Sequence, residues 1–316
     1  ALPIYHSAMT PIQQSGAEPG YRVGVDVGGT KIEAALVSPD GEIVASRRIP
    51  ARRGGDRLVD DVTAIVRDVA GDRLAGVRAV GIGTPGQVDS AAGRIANVVN
   101  LGIDTLELGP LVSGRLGVPV HVDNDVNAAA LGAARSVVGS DLTGTIAFLN
   151  FGTGLAAGIL IDGELQHGFS GAAGEIGHIP VDPNRLPCQC GQRGCLETVC
   201  SGASVGRLWP TENGAPPMPD LIRAAHAGDE HAVEVLGKVA HAMVDTIQIL
   251  AQSVDPRIII LGGGMAKTGE PLVEVIAGEL SVREAACPFL AGLHLGERLR
   301  LAPQDRPTAA LGAALA

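Results

Sequence analysis

The sequence predicts an α/β protein built from two similar halves that face each other across a cleft. Of its 316 residues, 46% are hydrophobic and only 2% are aromatic, so a large core must consist mainly of Ala, Val, Ile and Leu. A second observation is a repeat: an alternating strand, a glycine turn and another strand open the chain and recur near its middle. Two halves that begin alike indicate a duplicated architecture.

Strands, helices and turns alternate along both halves. The assignments rest on alternating valines, on glycine and Pro-Asp-Gly turns, and on apolar residues at helical spacing. The first half is expected to contain strands at 23–27 and 30–37, a third strand after Gly41, a helix at 57–69, strands at 77–83 and 118–122 and an Ala-rich helix at 127–138. The second half is expected to contain strands at 145–150 and 155–161, a proline-rich loop at 210–219, helices over 221–254 with a break at Gly228-Asp229, a strand at 258–261 and a helix at 308–316.

Charge and hydropathy restrict the partners and the compartment. The net charge of −10 argues against nucleic acid and anionic membranes as partners. No apolar run reaches the length of a membrane span, and the N-terminus lacks the basic and apolar regions of a signal peptide. Residues 1–20 show no periodicity and are expected to form a disordered tail. We therefore expect a cytoplasmic protein.

A dense group of soft metal ligands stands in the second half: His178, Cys188, Cys190 and Cys195. Three thiolates and one imidazole complete the tetrahedral shell of a structural zinc site. A disulfide or unpaired core cysteines are the alternative, but Cys-x-Cys is too short for easy pairing and the total of five cysteines is odd. The pattern predicts structural Zn²⁺, and reduced thiolates suit the cytosol.

Two carboxylates flank these ligands. Glu175 precedes His178 by three positions, so a helix would present both on one face. Glu197 follows the last cysteine of the group. Carboxylates are hard ligands that a complete zinc shell does not need. Both glutamates are therefore free to bind another group, such as a polyhydroxylated substrate.

Glycine turns between strands offer backbone N–H groups to phosphate. The motif Asp26-Val-Gly28-Gly29-Thr30-Lys31 lies between two strands, whereas a Walker loop or a dinucleotide fingerprint leads into a helix. Asp26 can hold Mg²⁺ through water; taken alone, the motif fits a structural hairpin with a buried Asp equally well. Gly152-Thr153-Gly154 occupies the equivalent turn of the second half, so two hairpins can clasp a polyphosphate. Gly262-Gly263-Gly264, after a strand, would admit an adenosine ring.

Asn124 and Asp125 stand at the carboxyl end of a predicted strand, where open α/β sheets bind ligands. Asp125 can accept the proton of an attacking hydroxyl there, and Asn124 can orient the same group. A helix N-cap is the alternative, because the pair precedes an Ala-rich helix. The phosphate turns and spare glutamates of the same chain favour catalysis.

Together these motifs resemble the ROK family of repressors, open reading frames and sugar kinases. The resemblance rests on Asp26–Lys31, Asn124-Asp125, Gly152–Gly158, Glu175–His178, Cys188–Glu197 and Leu261–Gly264, in the expected order from Arg22 to the C-terminus. It implies the actin-like ATPase/ribonuclease-H-like fold, with two α/β domains flanking a catalytic cleft. It divides the chain into a small domain, 21–122 plus 303–316, and a large domain, 123–302, with the zinc site.

The resemblance also implies a reaction: transfer of phosphate from ATP, with Mg²⁺, to a sugar hydroxyl, with glucose as the first expected acceptor and Asp125 as general base. The implied sugar contacts are Asn100, Asn124, Asp125, Glu175, His178 and Glu197. The implied ATP contacts are Asp26, Gly28, Gly29, Thr30, Lys31, Gly152, Thr153, Gly154, Gly262 and Gly263. The implied zinc ligands are His178, Cys188, Cys190 and Cys195. A homodimer is implied as well.

Two positions depart from the glucokinase pattern. Many glucokinases have a Trp shortly after the sugar-binding Asn, where this chain continues Asn100-Leu-Gly-Ile-Asp, and often a Glu where it has Ala133. Mannose, N-acetyl-hexosamines, allose and cyclitols therefore stay open as acceptors. Polyphosphate-using relatives generally lack the cysteine cluster, which favours ATP as donor. Outside catalysis, the alternatives are a scaffold protein and a sugar-sensing repressor; the roughly 20 residues before the first hairpin are too few for a helix-turn-helix domain.

Overall fold

The computed structural model of the chain describes residues 20–316, and the tail predicted at 1–20 lies outside the described residues except for Gly20. The strands are β1 Tyr21–Val27, β2 Lys31–Val37, β3 Ile43–Pro50, β4 Val77–Thr84, β5 Gln87–Asp89, β6 Arg94–Val98, β7 Ile103–Leu106, β8 Val120–Asn124, β9 Thr145–Phe151, β10 Leu155–Ile161, β11 Glu164–Leu165, β12 Ile258–Gly262 and β13 Leu299–Leu301. The α-helices are α1 Gly55–Ala70, α2 Leu108–Leu116, α3 Asp125–Val138, α4 Glu197–Cys200, α5 Gly202–Leu208, α6 Pro217–His226, α7 Glu230–Val254, α8 Glu270–Ala286, α9 Pro288–Ala291, α10 Leu295–Arg298 and α11 Thr308–Leu315. Short 3₁₀ turns lie at Gly71–Gly76, Val99–Leu101, Ile176–His178, Glu212–Gly214 and Met265–Thr268.

Two five-stranded sheets share one topology. The first has the order β3-β2-β1-β4-β8 and the second the order β11-β10-β9-β12-β13. In each sheet three strands form an antiparallel meander, and two more strands extend it in parallel. A third, antiparallel sheet has the order β5-β6-β7. The predicted repeat of the opening unit is thus confirmed as a repeat of whole sheets.

The predicted hairpins form because apolar residues alternate along each strand and are buried on one side of it. Val23, Val25 and Val27 are all buried in the first sheet. The turn that follows is closed by the N–H of Gly28, which donates to the carbonyl of Lys31 at 2.9 Å. Each sheet then packs its own helices into a separate core of aliphatic side chains. The expected aliphatic core is confirmed.

The two sheets meet through the helix pair α3 and α11, which pack against each other and against β1 and β4 of the first sheet. Helix α3 also packs against β9 and β10 of the second sheet. This contact depends on glycines at the crossing. A Cβ added to Gly312 would lie 1.7 Å from the carbonyl oxygen of Ala128, and one added to Gly132 would lie 1.9 Å from that of Thr308. The backbones of the two helices are therefore in direct contact, with no space for side chains between them.

The helices predicted over 221–254 are confirmed, with one difference at their start. The break falls between His226 and Glu230, where the side chain of Asp229 caps α7 by accepting from the N–H of Ala232 at 2.9 Å. The proline-rich loop, however, does not extend to residue 219. Helix α6 begins at Pro217, because proline is well suited to the first turn, where no intrahelical N–H donor is needed. Over residues 20–316, no helix has both the length and the apolarity that a bilayer crossing requires.

Candidate active site

One cavity, here called the inner cavity, opens between the two sheets. Residues from both sheets and from the segments after them line it, among them Asp26, Lys31, Asp125, Asn150, Gly262, Gly263 and Lys267. The parallel pairing explains why the two aspartates meet. Asp26 on β1 lies opposite Gly83 on β4, and Thr84 lies opposite Asn124 at the end of β8, so these strands end at one edge.

The inner cavity raises the pKa of both aspartates. Burial first, and then the charges of Asp125 and Glu33, raise the pKa of Asp26 to about 7, against the opposing charge of Lys31. Burial also raises the pKa of Asp125, and the charge of Glu175 adds to that rise. The backbone N–H of Val126, 2.9 Å from Asp125 Oδ1, acts in the opposite direction. Two carboxylates with raised pKa values in one cleft are typical of a site that handles protons or cations.

Asp26→Asn is expected to stabilise the protein at alkaline pH in the absence of Mg²⁺ and nucleotide. The folded-state pKa of Asp26, about 7, exceeds the ordinary value of 3.8. Its contribution to stability is therefore complete below the ordinary pKa and is lost as the pH rises through about 7. The Tm of the variant should exceed that of the wild type by a few degrees near pH 8.5, and the difference should shrink towards about pH 5.5. Differential scanning calorimetry measures it, with Asp40→Asn, an exposed turn carboxylate, as control. An unchanging difference would refute the raised pKa.

A second cavity, here called the outer cavity, is also lined by residues at the start of α3. Its volume of about 1040 Å³ is ample for a small metabolite. Asp123, Asn124, His167, Phe169, Glu175 and His178 are among its lining residues. Asn124 also caps α3, since its Oδ1 accepts from the N–H of Val126 at 2.8 Å. The N-cap alternative is thus confirmed for Asn124, and the same residue faces the cavity.

Glu175 and His178 line the outer cavity together, but no α-helix presents them. Ile176–His178 is one 3₁₀ turn that follows Glu175, closed by the N–H of His178 donating to the carbonyl of Glu175 at 3.1 Å. Side chains three positions apart eclipse one another in a 3₁₀ turn. Glu175 and His178 therefore lie on one face as expected, but a 3₁₀ turn presents them instead of an α-helix.

The predicted metal ligands lie close together at the end of this turn. The ligand atoms of His178, Cys188, Cys190 and Cys195 are all within 4.8 Å of one another. Cys188 Sγ lies 3.6 Å from His178 Nδ1, and Cys190 Sγ lies 3.6 Å from Cys195 Sγ. Tetrahedral zinc with ordinary Zn–S and Zn–N bonds requires ligand separations of about 3.5–3.8 Å. All five cysteines are free thiols, so the disulfide alternative is wrong and the residues present fit zinc.

Gln192 holds this cluster from outside. Its Nε2 donates to the carbonyl of His178 at 3.0 Å and to Cys190 Sγ at 3.5 Å. Hydrogen bonds from the backbone and then the side chain of Gln192 lower the pKa of Cys190 to about 6. Burial raises the pKa of Cys195 to about 12. A cation in the cluster would bind the cysteines as thiolates, and the hydrogen bonds from Gln192 favour that form at Cys190.

The glycine turns lie where β1 meets β2 and where β9 meets β10, and each has one of the predicted polar residues against it. A Cβ on Gly29 would lie 3.1 Å from Cβ of Asn100, and one on Gly154 would lie 2.7 Å from Oε2 of Glu197. That same carboxylate oxygen accepts from the N–H of Leu155 at 2.9 Å. Glu197 therefore connects the segment of the predicted zinc ligands to the second glycine turn.

The structure separates the predicted sugar contacts into four places. Asn124, Glu175 and His178 line the outer cavity, Asp125 lines the inner one, and Asn100 and Glu197 lie against the two glycine turns. Sequence reasoning missed Lys267 in the inner cavity, His167 in the outer one and Gln192 beside the cysteines. A lysine shortly after Gly262-Gly263-Gly264 was a usable signal for the first. The other two are visible only from contacts across the fold.

Comparisons with known proteins identify the family of the chain. A protein-family model described as the ROK family matches residues 22–314. A glucokinase of Halalkalibacterium halodurans is 36% identical over 279 residues, which cover 80% of this chain and 83% of that one. An N-acetyl-D-glucosamine kinase of Aliivibrio salmonicida is 31% identical over 260 residues, which cover 77% of this chain and 84% of that one.

Solved structures show the same architecture. The ROK hexokinase of Thermus thermophilus superposes with a TM-score of 0.77 at 28% identity, covering 93% of this chain and 97% of its own. A ROK family glucokinase of Streptomyces griseus in complex with glucose and AMPPNP superposes with a TM-score of 0.72 at 31% identity, covering 93% and 98%. The cavities and these relatives define an ATP-dependent sugar kinase with the actin-like ATPase fold. Within that class, the chain belongs to the ROK family.

Proposed function

We propose that this chain transfers the γ-phosphoryl group of ATP to the 6-hydroxyl of glucose, with Asp125 as general base. One observation carries the proposal: the adjacent residues Asn124 and Asp125 face the outer and the inner cavity respectively. A hydroxyl held beside Asn124 in the outer cavity would lie next to the residue that carries the proton acceptor. The raised pKa of Asp125 suits a group that must accept a proton during the reaction.

In the proposed reaction the sugar oxygen bonds to the γ-phosphorus, the bond from that phosphorus to ADP breaks, and the hydroxyl proton passes to Asp125. Positioning and charge neutralisation supply most of the rate in such transfers. Glu175 can accept hydrogen bonds from sugar hydroxyls. His178 has Nδ1 turned to the cysteines, which leaves Nε2 for the sugar.

The nucleotide would lie in the inner cavity, which Asp26, Lys31, Gly262 and Gly263 line, with its phosphates directed towards the glycine turns that follow β1 and β9. Backbone N–H groups of these turns would hold its phosphates, and Lys31 and Lys267 bring positive charge to the same cavity. Asp26 would hold Mg²⁺ through water, and the ion, when bound, neutralises charge on the transferred group. We place the boundary of the small domain at 21–122 plus 303–316, around this cleft, with 123–302 as the large domain.

His178, Cys188, Cys190 and Cys195 would hold zinc in a closed shell, which supplies structural stability and no Lewis acid. Their ligand separations support this role. Zinc bound to His178 would hold the turn that carries Glu175 in position. Zinc bound to Cys195 would do the same for Glu197, two residues further along the chain. Glu197 in turn steadies the second glycine turn through its bond from Leu155.

An N-acetyl-hexosamine is the second candidate acceptor. The curated relative from Aliivibrio salmonicida is an N-acetyl-D-glucosamine kinase, and the outer cavity has room for a substituent on the sugar. A coupled ADP-release assay with Mg·ATP against glucose, mannose, allose, N-acetyl-hexosamines and cyclitols separates the candidates. We expect the highest kcat/KM with glucose. A tenfold preference for another compound would reassign the acceptor, and no turnover with any of them would contradict the kinase proposal.

Gly154→Ala is expected to raise the KM for sugar about tenfold while the protein stays folded. The new Cβ would displace the carboxylate of Glu197, which would lose its hydrogen bond from Leu155. Gly278→Ala is the matched control, because Gly278 lies in α8 and no described atom beyond its own helix backbone is within 4 Å of the new Cβ. Steady-state kinetics on both variants measures the effect. An unchanged KM in Gly154→Ala would remove Glu197 from the acceptor site.

The homodimer and the cytoplasmic location complete the proposal. Both derive from the sequence and its resemblance to the family. Light scattering of the purified chain checks the first, and fractionation of the source cells checks the second.

A further inference from the structure

One aromatic side chain stands fully exposed beside the outer cavity. Phe169 has a relative exposure of 109%, whereas Phe148 and Phe151 are buried. The chain has four phenylalanines, and only 2% of its residues are aromatic. Its neighbours from Gly168 to Ala172 are exposed as well. A fully exposed Phe does not gain the stabilisation that burial of its ring normally provides.

The segment that carries Phe169 is fixed at both ends and free in the middle. At one end, His167 Nε2 lies 2.7 Å from Asp123 Oδ2, which ties the segment to the end of β8. At the other end, the N–H of Ala157 donates to the carbonyl of Gly174 at 2.7 Å. Gly168 and Gly171 flank Phe169 with φ values of 73° and 76°, in the region that glycine adopts without strain. In the described part of the chain, residues 168–171 make no hydrogen bond, so the tip can move while its ends stay beside the cavity.

We propose that Phe169 contacts the bound acceptor, packing its ring on the C–H face of the sugar and closing the outer cavity. This inference rests on the proposed function and adds a residue to it. The polar groups of Asn124, Glu175 and His178 serve the hydroxyls, and a pyranose also has an apolar face that needs an apolar partner. Closure excludes water, which would otherwise compete with the sugar for the phosphoryl group.

The surroundings favour a sugar over a protein partner as the occupant. Phe169 lines the same cavity as the residues proposed to hold the acceptor. Gly168, Ser170 and Gly171 provide no further apolar surface, and a protein contact would need a wider apolar patch. The contact between His167 and Asp123 places this segment beside the Asn124-Asp125 pair, because Asp123 directly precedes that pair.

Kinetics tests the contact. Phe169→Ala should raise the KM for sugar about fivefold to tenfold and leave the KM for ATP within about twofold. It should also release more ADP than sugar phosphate, because the open cavity admits water. Phe169→Tyr should keep the wild-type KM for sugar and the wild-type ratio of ADP to sugar phosphate, since the ring remains. Phe289→Ala is the matched control, because Phe289 is 64% exposed and lies outside both cavities.

A fluorescent version tests the movement without turnover. In Phe169→Trp, added sugar without ATP should lower acrylamide quenching; Phe289→Trp and the wild type, whose one Trp is Trp209, should show no such change. Unchanged sugar KM and unchanged quenching in the Phe169 variants, with an active wild type, would overturn the inference. So would a change in oligomeric state by light scattering in Phe169→Ala, which would assign the ring to a contact between copies. An inactive wild type would contradict the proposed function itself.

Discussion

Asp125→Asn is expected to lower kcat about 10²–10⁴-fold while the dissociation constant for the sugar stays within about twofold. The amide keeps the size of the side chain and can still accept from the N–H of Val126, so α3 should retain its start. It cannot take the proton of the hydroxyl. Binding and chemistry should therefore separate in this variant.

The measurement pairs the ADP-release assay with calorimetric titration of the sugar. Asp56→Asn is the matched control, because Asp56 is also an acid in the first turn of a helix but is exposed on α1. Both variants lose the same favourable interaction with a helix N-terminus. A kcat for Asp125→Asn within tenfold of the wild type would remove the general-base assignment. A large loss of sugar affinity would instead make Asp125 mainly a binding residue.

Cys190→Ser is expected to reduce bound zinc to less than about a tenth of the wild-type content and to raise the KM for sugar at least tenfold. Cys190 is exposed, so the substitution opens no cavity in the core, and the loss is attributable to the metal. Without the ion, neither the turn with Glu175 nor the segment with Glu197 keeps its place. The Tm should fall as well, because binding to the folded state stabilises it.

Atomic absorption on purified protein measures the zinc content, and kinetics measures the KM. Cys287→Ser is the matched control: this thiol is half-buried and lies outside the cluster. It should keep its zinc and its activity. Treating the wild type with a chelator should reproduce the defect of Cys190→Ser, and zinc should reverse it. A wild type that contains no zinc would contradict the assignment of the cluster.

The parts of the fold that the sequence predicts well are those with a local cause. The β1–β2 and β9–β10 hairpins follow from alternation and glycine turns, and α1 from apolar residues at helical spacing. Helix α8 was missed. It buries Leu272, Ile276 and Leu280, but Val282 and other apolar residues occur on its remaining faces and obscure the stripe.

The small sheet β5-β6-β7 was missed for a different reason. Its strands are short, and the pairing of residues such as Ile95 with Leu106 joins positions that no local pattern connects. The candidate site divides in the same way. The cysteine spacing indicates its cluster directly, whereas Gln192 and His167 owe their positions to contacts with His178 and Asp123 that only the fold creates.

The crossing of α3 and α11 has a consequence for how such an enzyme changes its substrate. A side chain at Gly132 or Gly312 would overlap backbone atoms of the other helix, and one at Gly24 or Gly81 would overlap α11 in the same way. Evolution of a new acceptor preference therefore has little freedom at these central positions. A change of preference is instead expected in peripheral segments such as 168–172, which we propose to contact the sugar and where a substitution leaves the framework intact.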